Sequence, residues 1–371
     1  TEEEPVRRIV ALRESLFILK DDGIFRLTGT DPSSFEVSLL DNTAVILGID
    51  SACAFNNQVW CMSNQGALAI SDTGVAVMSR PIEKDLIQVT APQYTNFSTA
   101  TFGFAYESDR KFVLATVTSE GDTYATQEYV YNSFTNSWTR WTRTFNCGFV
   151  NPADNKIYWG HPTNGYVYVE RKTFTTSDYA DESLAVTVTS SSGTTINLAS
   201  TTGVNAGDSI EQGLLQSYIV SVDSPTQITV ENVFAWAAGA ATVNTPISVV
   251  LQWVPQTAEN AGILKQFREV TVMYSTASFN EMEIGFNSNF SADFETFTLT
   301  PVQGNGFGTL PFGTGNFGAS VSQPQGIRTY VPLAKQRALW ITPALESNRC
   351  FAGFSLNGIS IQWEPMTSRF Y

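Results

Sequence analysis

Ile9-Val-Ala-Leu-Arg-Glu-Ser-Leu-Phe-Ile-Leu-Lys-Asp-Asp-Gly-Ile-Phe-Arg-Leu-Thr28 is the stretch that decides the fold. Two β-rich apolar runs flank Asp22-Gly23, a pair that tolerates the positive φ of a tight primed turn, so the segment predicts a β-hairpin. The same grammar returns at 53–78, where Asn56-Asn57, Gln65-Gly66 and Thr73-Gly74 separate runs around Trp60, Leu68 and Val77. It returns at 102–142, with turns at Ser108-Asp109 and Asn132-Ser133 and with Phe112, Tyr129, Tyr131, Trp138 and Trp141 in the runs. A fourth unit spans 148–172, with turns at Asp154-Asn155 and Asn164-Gly165.

Each unit is an antiparallel meander of about 25 to 40 residues, the length of one propeller blade. A β-sandwich has similar strand spacing. Reuse of one unit (strand, Asn/Asp turn, aromatic strand, Gly turn) favours the propeller. The predicted fold class is therefore all-β: propeller-like blades of antiparallel meanders with an inserted small β-barrel. Blades occupy 1–182. Residues 183–246 are nearly uncharged and rich in Ser and Thr, and they predict a barrel of five or six short strands. Such an insertion is tolerable because loop-closure entropy grows slowly with length. Residues 247–371 return to propeller or accessory strands, with a Gly- and Phe-rich loop at 303–326 whose Phe307, Phe312 and Phe317 form a contact surface or fold back onto the sheet. Helix is nearly absent; one short helix is expected from Pro81 through Leu86, because proline suits a first helical position.

Composition narrows the function. The chain has 371 residues, 43% hydrophobic and 12% aromatic, enough to bury a core. Only 15% are charged, so Ser, Thr, Asn and Gln make most of the polar surface. The net charge of −14 opposes the Lys/Arg clustering that phosphate binding needs. Cys53, Cys61, Cys147 and Cys350 lack C-x-x-C spacing and sit in apolar contexts, which reads as buried free thiols. No apolar run approaches the 18 or so residues of a membrane span.

A search for chemistry returns little. His161, the one histidine, precedes Pro162 in a turn and has no triad partner at a recognisable spacing. Asp178, Asp181 and Glu182 are the densest acidic group; a glycosidase pair is one reading and a solvated hinge the simpler one. Arg140-Trp141-Thr142-Arg143, Lys265-Gln-Phe-Arg268 and Lys335-Gln-Arg337 read as intersubunit salt bridges or strand-edge protection rather than nucleic-acid contacts. The Asn96 and Asn289 sequons read as chance. No catalytic, cofactor or metal residue is assigned, no cofactor is expected, and the chain is read as non-enzymatic.

Several stretches resemble a known family. They are Leu12-Arg-Glu-Ser-Leu-Phe-Ile-Leu with Gly23-Ile-Phe-Arg-Leu-Thr-Gly, Val77-Met-Ser-Arg-Pro-Ile-Glu-Lys-Asp-Leu86, Gly165-Tyr-Val-Tyr-Val-Glu-Arg-Lys-Thr-Phe174 with Asp178-Tyr-Ala-Asp-Glu182, and Gln336-Arg-Ala-Leu-Trp340 with Phe354-Ser-Leu-Asn-Gly-Ile-Ser-Ile. Together they are similar to the tail nozzle (tail tubular, packaged-DNA stabilisation) proteins of short-tailed bacteriophages. The resemblance implies a virion protein, one subunit of a homo-oligomeric and typically hexameric ring. It implies contact with adaptor and portal-proximal proteins and with tail fibres or spikes. It implies that DNA passes through the ring's channel without specific binding. It also implies that the family's N-terminal portion is missing here, consistent with a chain that begins at Thr1 in mid-pattern. The alternative is a glycan-binding propeller or adhesin, with Trp138 and Trp141 as stacking residues.

Overall fold

A computed structural model describes residues 4–170, 180–276, 282–289, 291–299, 325–350 and 354–366. The chain divides into two compact units, 1–172 and 173–371. The fold is all-β, with propeller-like blades and a closed small barrel.

The first unit is a stack of meanders. Blade 1 is β1 (Val6–Leu12), β2 (Ser15–Lys20), β3 (Gly23–Thr28) and β4 (Glu36–Asp41), paired in chain order. Blade 2 is β5 (Ile46–Phe55), β6 (Gln58–Ser63), β7 (Gly66–Ser71) and β8 (Gly74–Val77). A 3₁₀ turn at Arg80–Ile82 and helices α1 (Glu83–Val89) and α2 (Phe97–Ala100) lead into blade 3. The helix expected from Pro81 thus begins as a 3₁₀ turn, with Pro81 inside it. Blade 3 is β9 (Phe102–Tyr106), β10 (Lys111–Thr116), β11 (Gln127–Asn132) and β12 (Ser137–Trp141). Blade 4 is β13 (Cys147–Asn151), β14 (Lys156–Gly160) and β15 (Val167–Val169). The first strands of blades 2 and 3 meet in parallel at Asp50 and Phe102, so each blade restarts beside the opening strand of the one before, as in a propeller.

Turn chemistry sets the register. Asn56 and Asn57 both take positive φ, 46° and 61°, between β5 and β6, the primed hairpin anticipated there. In blade 1 the two loop residues are Asp21 and Asp22, and Gly23 already pairs with Lys20. The glycine is required one position later than expected, at φ 142°, where a Cβ would sit 2.4 Å from the Asp41 carbonyl oxygen.

Successive blades bury alternate faces against each other. Phe17, Leu19 and Ile24 of blade 1 share a core with Val59, Cys61, Leu68 and Ile70 of blade 2. The opposite face of blade 2, with Phe55, Trp60, Met62 and Ala69, packs on Phe112, Leu114, Tyr129 and Tyr131 of blade 3. Phe104, Val113, Ala115 and Val130 on the far side of blade 3 then meet Ile157 and Trp159 of blade 4.

The second unit holds two cores. Strands β16 (Ala180–Ser192), β17 (Thr195–Leu198), β18 (Ser209–Gln212), β19 (Leu215–Ser224), β20 (Gln227–Val230) and β21 (Gly239–Pro246) close as a barrel in the order β16-β17-β20-β19-β18-β21. Val188, Ile196, Ile210, Ile219, Ile228 and Val243 fill it. Two further sheets share one core around Phe267, Tyr274, Ile284, Phe286 and Leu345, a β-sandwich. One sheet is β22 (Val249–Gln252), β28 (Ile341–Ser347), β24 (Met282–Ser288) and β25 (Ser291–Leu299). The other is β26 (Gln325–Tyr330), β23 (Lys265–Thr276) and β27 (Arg337–Ala338), with β29 (Phe354–Pro365) also on β23. Phe307, Phe312 and Phe317 lie outside the described residues.

Candidate functional site

The most unusual chemistry in the first unit lies at the two ends of the blade stack. On blade 1 the register aligns Ile9, Ile18, Phe25 and Leu39 in one cross-strand row and Ala11, Leu16, Leu27 and Val37 in the next. All eight are apolar, and they point away from the core shared with blade 2. Ile9, Val37 and Leu39 are 52%, 60% and 55% exposed. On blade 4 the outward row is Phe149, Tyr158 and Val169, beside Cys147, Gly160 and Val167. Phe149 stacks on Tyr158 at 5.6 Å and is more than half exposed, as is Val167. Contiguous apolar sheet faces of this kind mark interaction surfaces.

A buried carboxylate sits between blades 3 and 4. Glu128 on β11 is fully buried; its Oε1 accepts the Trp159 indole N–H at 2.8 Å, and Oε2 has no hydrogen-bond partner among the described residues. Burial pushes its pKa up to about 7, against the pull of the Trp159 hydrogen bond and the charge of Arg143.

The second unit carries a polar cleft of about 280 Å³ lined by Glu283, Thr298, Glu346, Asn348 and Arg349. Glu283 and Glu346 are direct cross-strand neighbours on β24 and β28, and Thr298 on β25 pairs with Glu283 from the other side. Like charges directly opposite are unfavourable. Arg349 lines the same cleft, with its guanidinium 4.6 Å over the Tyr218 ring and 3.8 Å from Glu231. No linear motif announces the two glutamates, because they come from strands about sixty residues apart in sequence.

The residues singled out in the sequence are dispersed. The His161 Nδ1 accepts the Thr163 and Asn164 backbone N–H groups, each at 3.2 Å, as a turn cap. Trp138 donates its indole N–H to the Met78 carbonyl at 2.9 Å and packs 5.3 Å from Tyr131, joining blades 3 and 2. Lys111 covers the Trp141 ring at 5.6 Å. Neither tryptophan is a free stacking platform. Lys265 and Lys335 are not surface charges: both are buried in the sandwich. Lys265 donates to the carbonyls of Asn260, Ile263 and Leu339, and Lys335 to that of Phe286 at 2.8 Å. Arg268 on β23 pairs with Glu364 on the neighbouring strand β29 at 2.9 Å, within a sheet where β23 has strand partners on both sides, so it protects no strand edge. The side-chain amides of Asn96 and Asn289 make internal hydrogen bonds, to Asp122 and from Leu339. Asp178 and the side chain of Asp181 lie outside the described residues, and Glu182 is exposed on β16.

All four cysteines are free. Burial raises Cys53, Cys61 and Cys350 to about 12, but Cys147 is exposed, contrary to a uniform reading of buried thiols. It belongs to the outward face of blade 4. Among the described residues no group of three His, Cys, Asp or Glu is arranged to hold a metal ion, and no helix is long and apolar enough to cross a membrane.

No family model matches the chain, and no curated protein matches it. Among solved structures it is similar to an exo-β-1,3-galactanase from Phanerochaete chrysosporium, at 7% identity and a TM-score of 0.24 over 94% of this chain and 78% of that one. It is similar to the extracellular domain of a hybrid two-component system from B. thetaiotaomicron, at 12% identity and a TM-score of 0.27 over 80% and 46%. A third is a glycoside hydrolase family 43 arabinoxylan arabinofuranohydrolase from Bacillus subtilis, at 10% identity and a TM-score of 0.26 over 98% and 96%. Two of these three are glycoside hydrolases, and with that finding the expectation of a non-enzymatic chain is withdrawn. The physical reason is that a glycosidase needs only two carboxylates about 5 to 10 Å apart, which separate strands can supply without any motif.

Proposed function

We propose that the chain is a subunit of a larger β-assembly, working through its blade faces, in the manner of the tail nozzle proteins it resembles. The supporting observation is the apolar outward face of blade 1, eight side chains in two complete cross-strand rows, of which Ile9, Val37 and Leu39 are more than half exposed. A sheet buried on one side only normally alternates apolar and polar residues. On blade 1 the outward rows are wholly apolar, whereas the inward face mixes Val10, Phe17, Leu19 and Ile24 with Ser15, Arg26 and Ser38. The low charge and the net charge of −14 agree with a surface that meets protein and lets DNA pass without holding it. On this reading the protein resides in the tail of a short-tailed phage, beside portal-proximal proteins and fibres or spikes. Mass spectrometry of purified phage particles is expected to find it in stoichiometric amount, with electron microscopy placing it in a ring. Its absence from such particles would end this reading.

A second reading is carbohydrate recognition, favoured by the Glu283–Glu346 cleft with Thr298, Asn348 and Arg349 as hydrogen-bonding neighbours. The named hydrolases belong to the same functional class. Glycan-array binding or release of reducing sugar, lost in Glu283→Gln and Glu346→Gln, is the result it requires. Signal unchanged by both substitutions would exclude the cleft.

A further inference from the structure

The outward face of the β22-β28-β24-β25 sheet breaks a rule that the other sheet of the same sandwich keeps. Its register lines up Val250, Glu346, Glu283 and Thr298 in one cross-strand row, while Ile284 and Leu345 beside them point into the core. Two carboxylates directly opposite each other repel. On the other sheet such acids are matched: Glu269 meets Arg328 and Glu364 meets Arg268, each at 2.9 Å. Among the described residues Glu283 and Glu346 have no ion-pair partner. Arg349, the cation in the cleft lining, is engaged by the barrel, where Glu231 and the Tyr218 ring hold it. The two glutamate charges of the cleft are therefore left unmatched. Places where a chain departs from its own local rules, at a cleft, are where function is expected.

Resting on the carbohydrate-recognition reading above, we propose that this cleft takes an amino sugar whose nitrogen is free and protonated. An ammonium offers three N–H donors and a positive charge, so it bridges Glu283 and Glu346 and relieves their repulsion in one step. Charge-assisted hydrogen bonds of this kind are about twice as strong as neutral ones. A hydroxyl in the same place leaves two facing charges. An N-acetyl group removes the positive charge and brings a carbonyl, an acceptor, towards carboxylates that only accept. The remaining lining suits the sugar itself. Thr298 and Asn348 each donate and accept, and the exposed Val250 at the end of the row offers apolar contact to a ring face. At about 280 Å³ the cleft is at the small end of ligand sites, fitting a short stretch of a saccharide chain.

Isothermal titration calorimetry of the full chain with the trimer of glucosamine and the trimer of N-acetylglucosamine tests this, since the two differ only at their nitrogens. The free-amine trimer is expected to bind at least tenfold more tightly. Glu283→Gln and Glu346→Gln are each expected to lose at least tenfold of that affinity. Both are expected to melt no lower than the wild type, because each removes one of two repelling charges from an exposed position. Glu36→Gln, at an exposed acid on blade 1, is expected to bind as the wild type does, which separates the cleft from general attraction to a chain of net charge −14. Equal binding of the two trimers, no binding of the free-amine trimer, or affinity unchanged in both cleft variants overturns the proposal. A neutral saccharide whose binding is lost in the cleft variants would overturn the amino-sugar preference and leave the carbohydrate reading standing. A chain that takes no saccharide at all would end both.

Discussion

The Glu128 carboxyl makes the contact between blades 3 and 4 sensitive to pH around neutrality. Its pKa in the folded chain is about 7, against an ordinary value of 4.5, and the dominant cause is burial. Because the folded state holds the proton more tightly than the unfolded chain, protonation favours folding. The contribution is fully present below about pH 4.5 and is lost as pH rises through about 7. A tenfold change in acid constant is worth about 1.4 kcal/mol, so the whole effect has a ceiling of about 3 kcal/mol. Arg143 and the Trp159 indole both favour the ionised form and are already included in that balance.

Urea unfolding at pH 5, 6, 7 and 8, followed by tryptophan fluorescence, measures this. The informative quantity is the wild type minus Glu128→Gln, since glutamine keeps an oxygen for the Trp159 N–H and has no titration of its own. The difference is expected to move against the wild type by about 2 to 3 kcal/mol from pH 5 to pH 8. Asp21, Asp41 and Asp122 have lowered pKa values from hydrogen bonds and, for Asp21, from Arg7, so their contributions are lost only at more acid pH, below the ordinary 3.8. They do not overlap the window. A difference that is flat from pH 5 to 8, or that favours the wild type at high pH, would refute the reasoning.

Gly23→Ala is expected to destabilise the first unit by about 1 to 3 kcal/mol, read by thermal melting, because the new Cβ meets the Asp41 carbonyl at 2.4 Å from a positive-φ backbone. Lys265→Met is expected to cost about 3 kcal/mol or more in chemical unfolding of the second unit, since three carbonyls lose their donor in a buried site. Trp138→Phe keeps the aromatic contact with Tyr131 but removes the hydrogen bond to Met78, for a loss of about 1 kcal/mol by the same measurement. Cys147 is expected to react with a maleimide in the folded chain while Cys61 and Cys350 do not, as intact-mass analysis would report.

Much of the fold was legible because its turns are chemically explicit. Asn56-Asn57 and Gly165 stand where the backbone takes positive φ, and the aromatic runs between them are the blade strands. The Gly23 hairpin was displaced by one residue: Asp22-Gly23 matches the primed-turn preference, but the loop pair is Asp21-Asp22, neither of which takes positive φ, and Gly23 follows it at φ 142° against β4. The roles of Lys265 and Lys335 were illegible. A lysine in an alternating strand reads as an exposed edge charge, and only tertiary structure shows the ring of carbonyls that permits burial. The Glu283–Glu346 pair was missed for a related reason: adjacency across strands leaves no spacing in the chain.

The strands of blades 2 and 3 also explain why blade 1 demands a partner. Val59-Trp60-Cys61-Met62 and Phe112-Val113-Leu114-Ala115 are continuous apolar runs, and every residue in them is buried, because each of these sheets is covered on both faces. Ile9-Val10-Ala11-Leu12 and Leu16-Phe17-Ile18-Leu19 are runs of the same kind. Their odd-and-even pattern asks for two covers. In the structure Phe17 and Leu19 are wholly buried beneath blade 2, whereas Ile9 on the other face is half exposed. Covering a side chain of that size removes apolar surface worth about 1.5 to 3 kcal/mol when burial is complete. Ile9, Val37 and Leu39, each more than half exposed, carry most of the apolar area that a partner would cover on this sheet. Replacing Ile9, Val37 and Leu39 together with threonine is therefore expected to leave the melting temperature nearly unchanged while abolishing concentration-dependent association. A large loss of stability in the triple variant would instead mean that this face is covered within the chain itself.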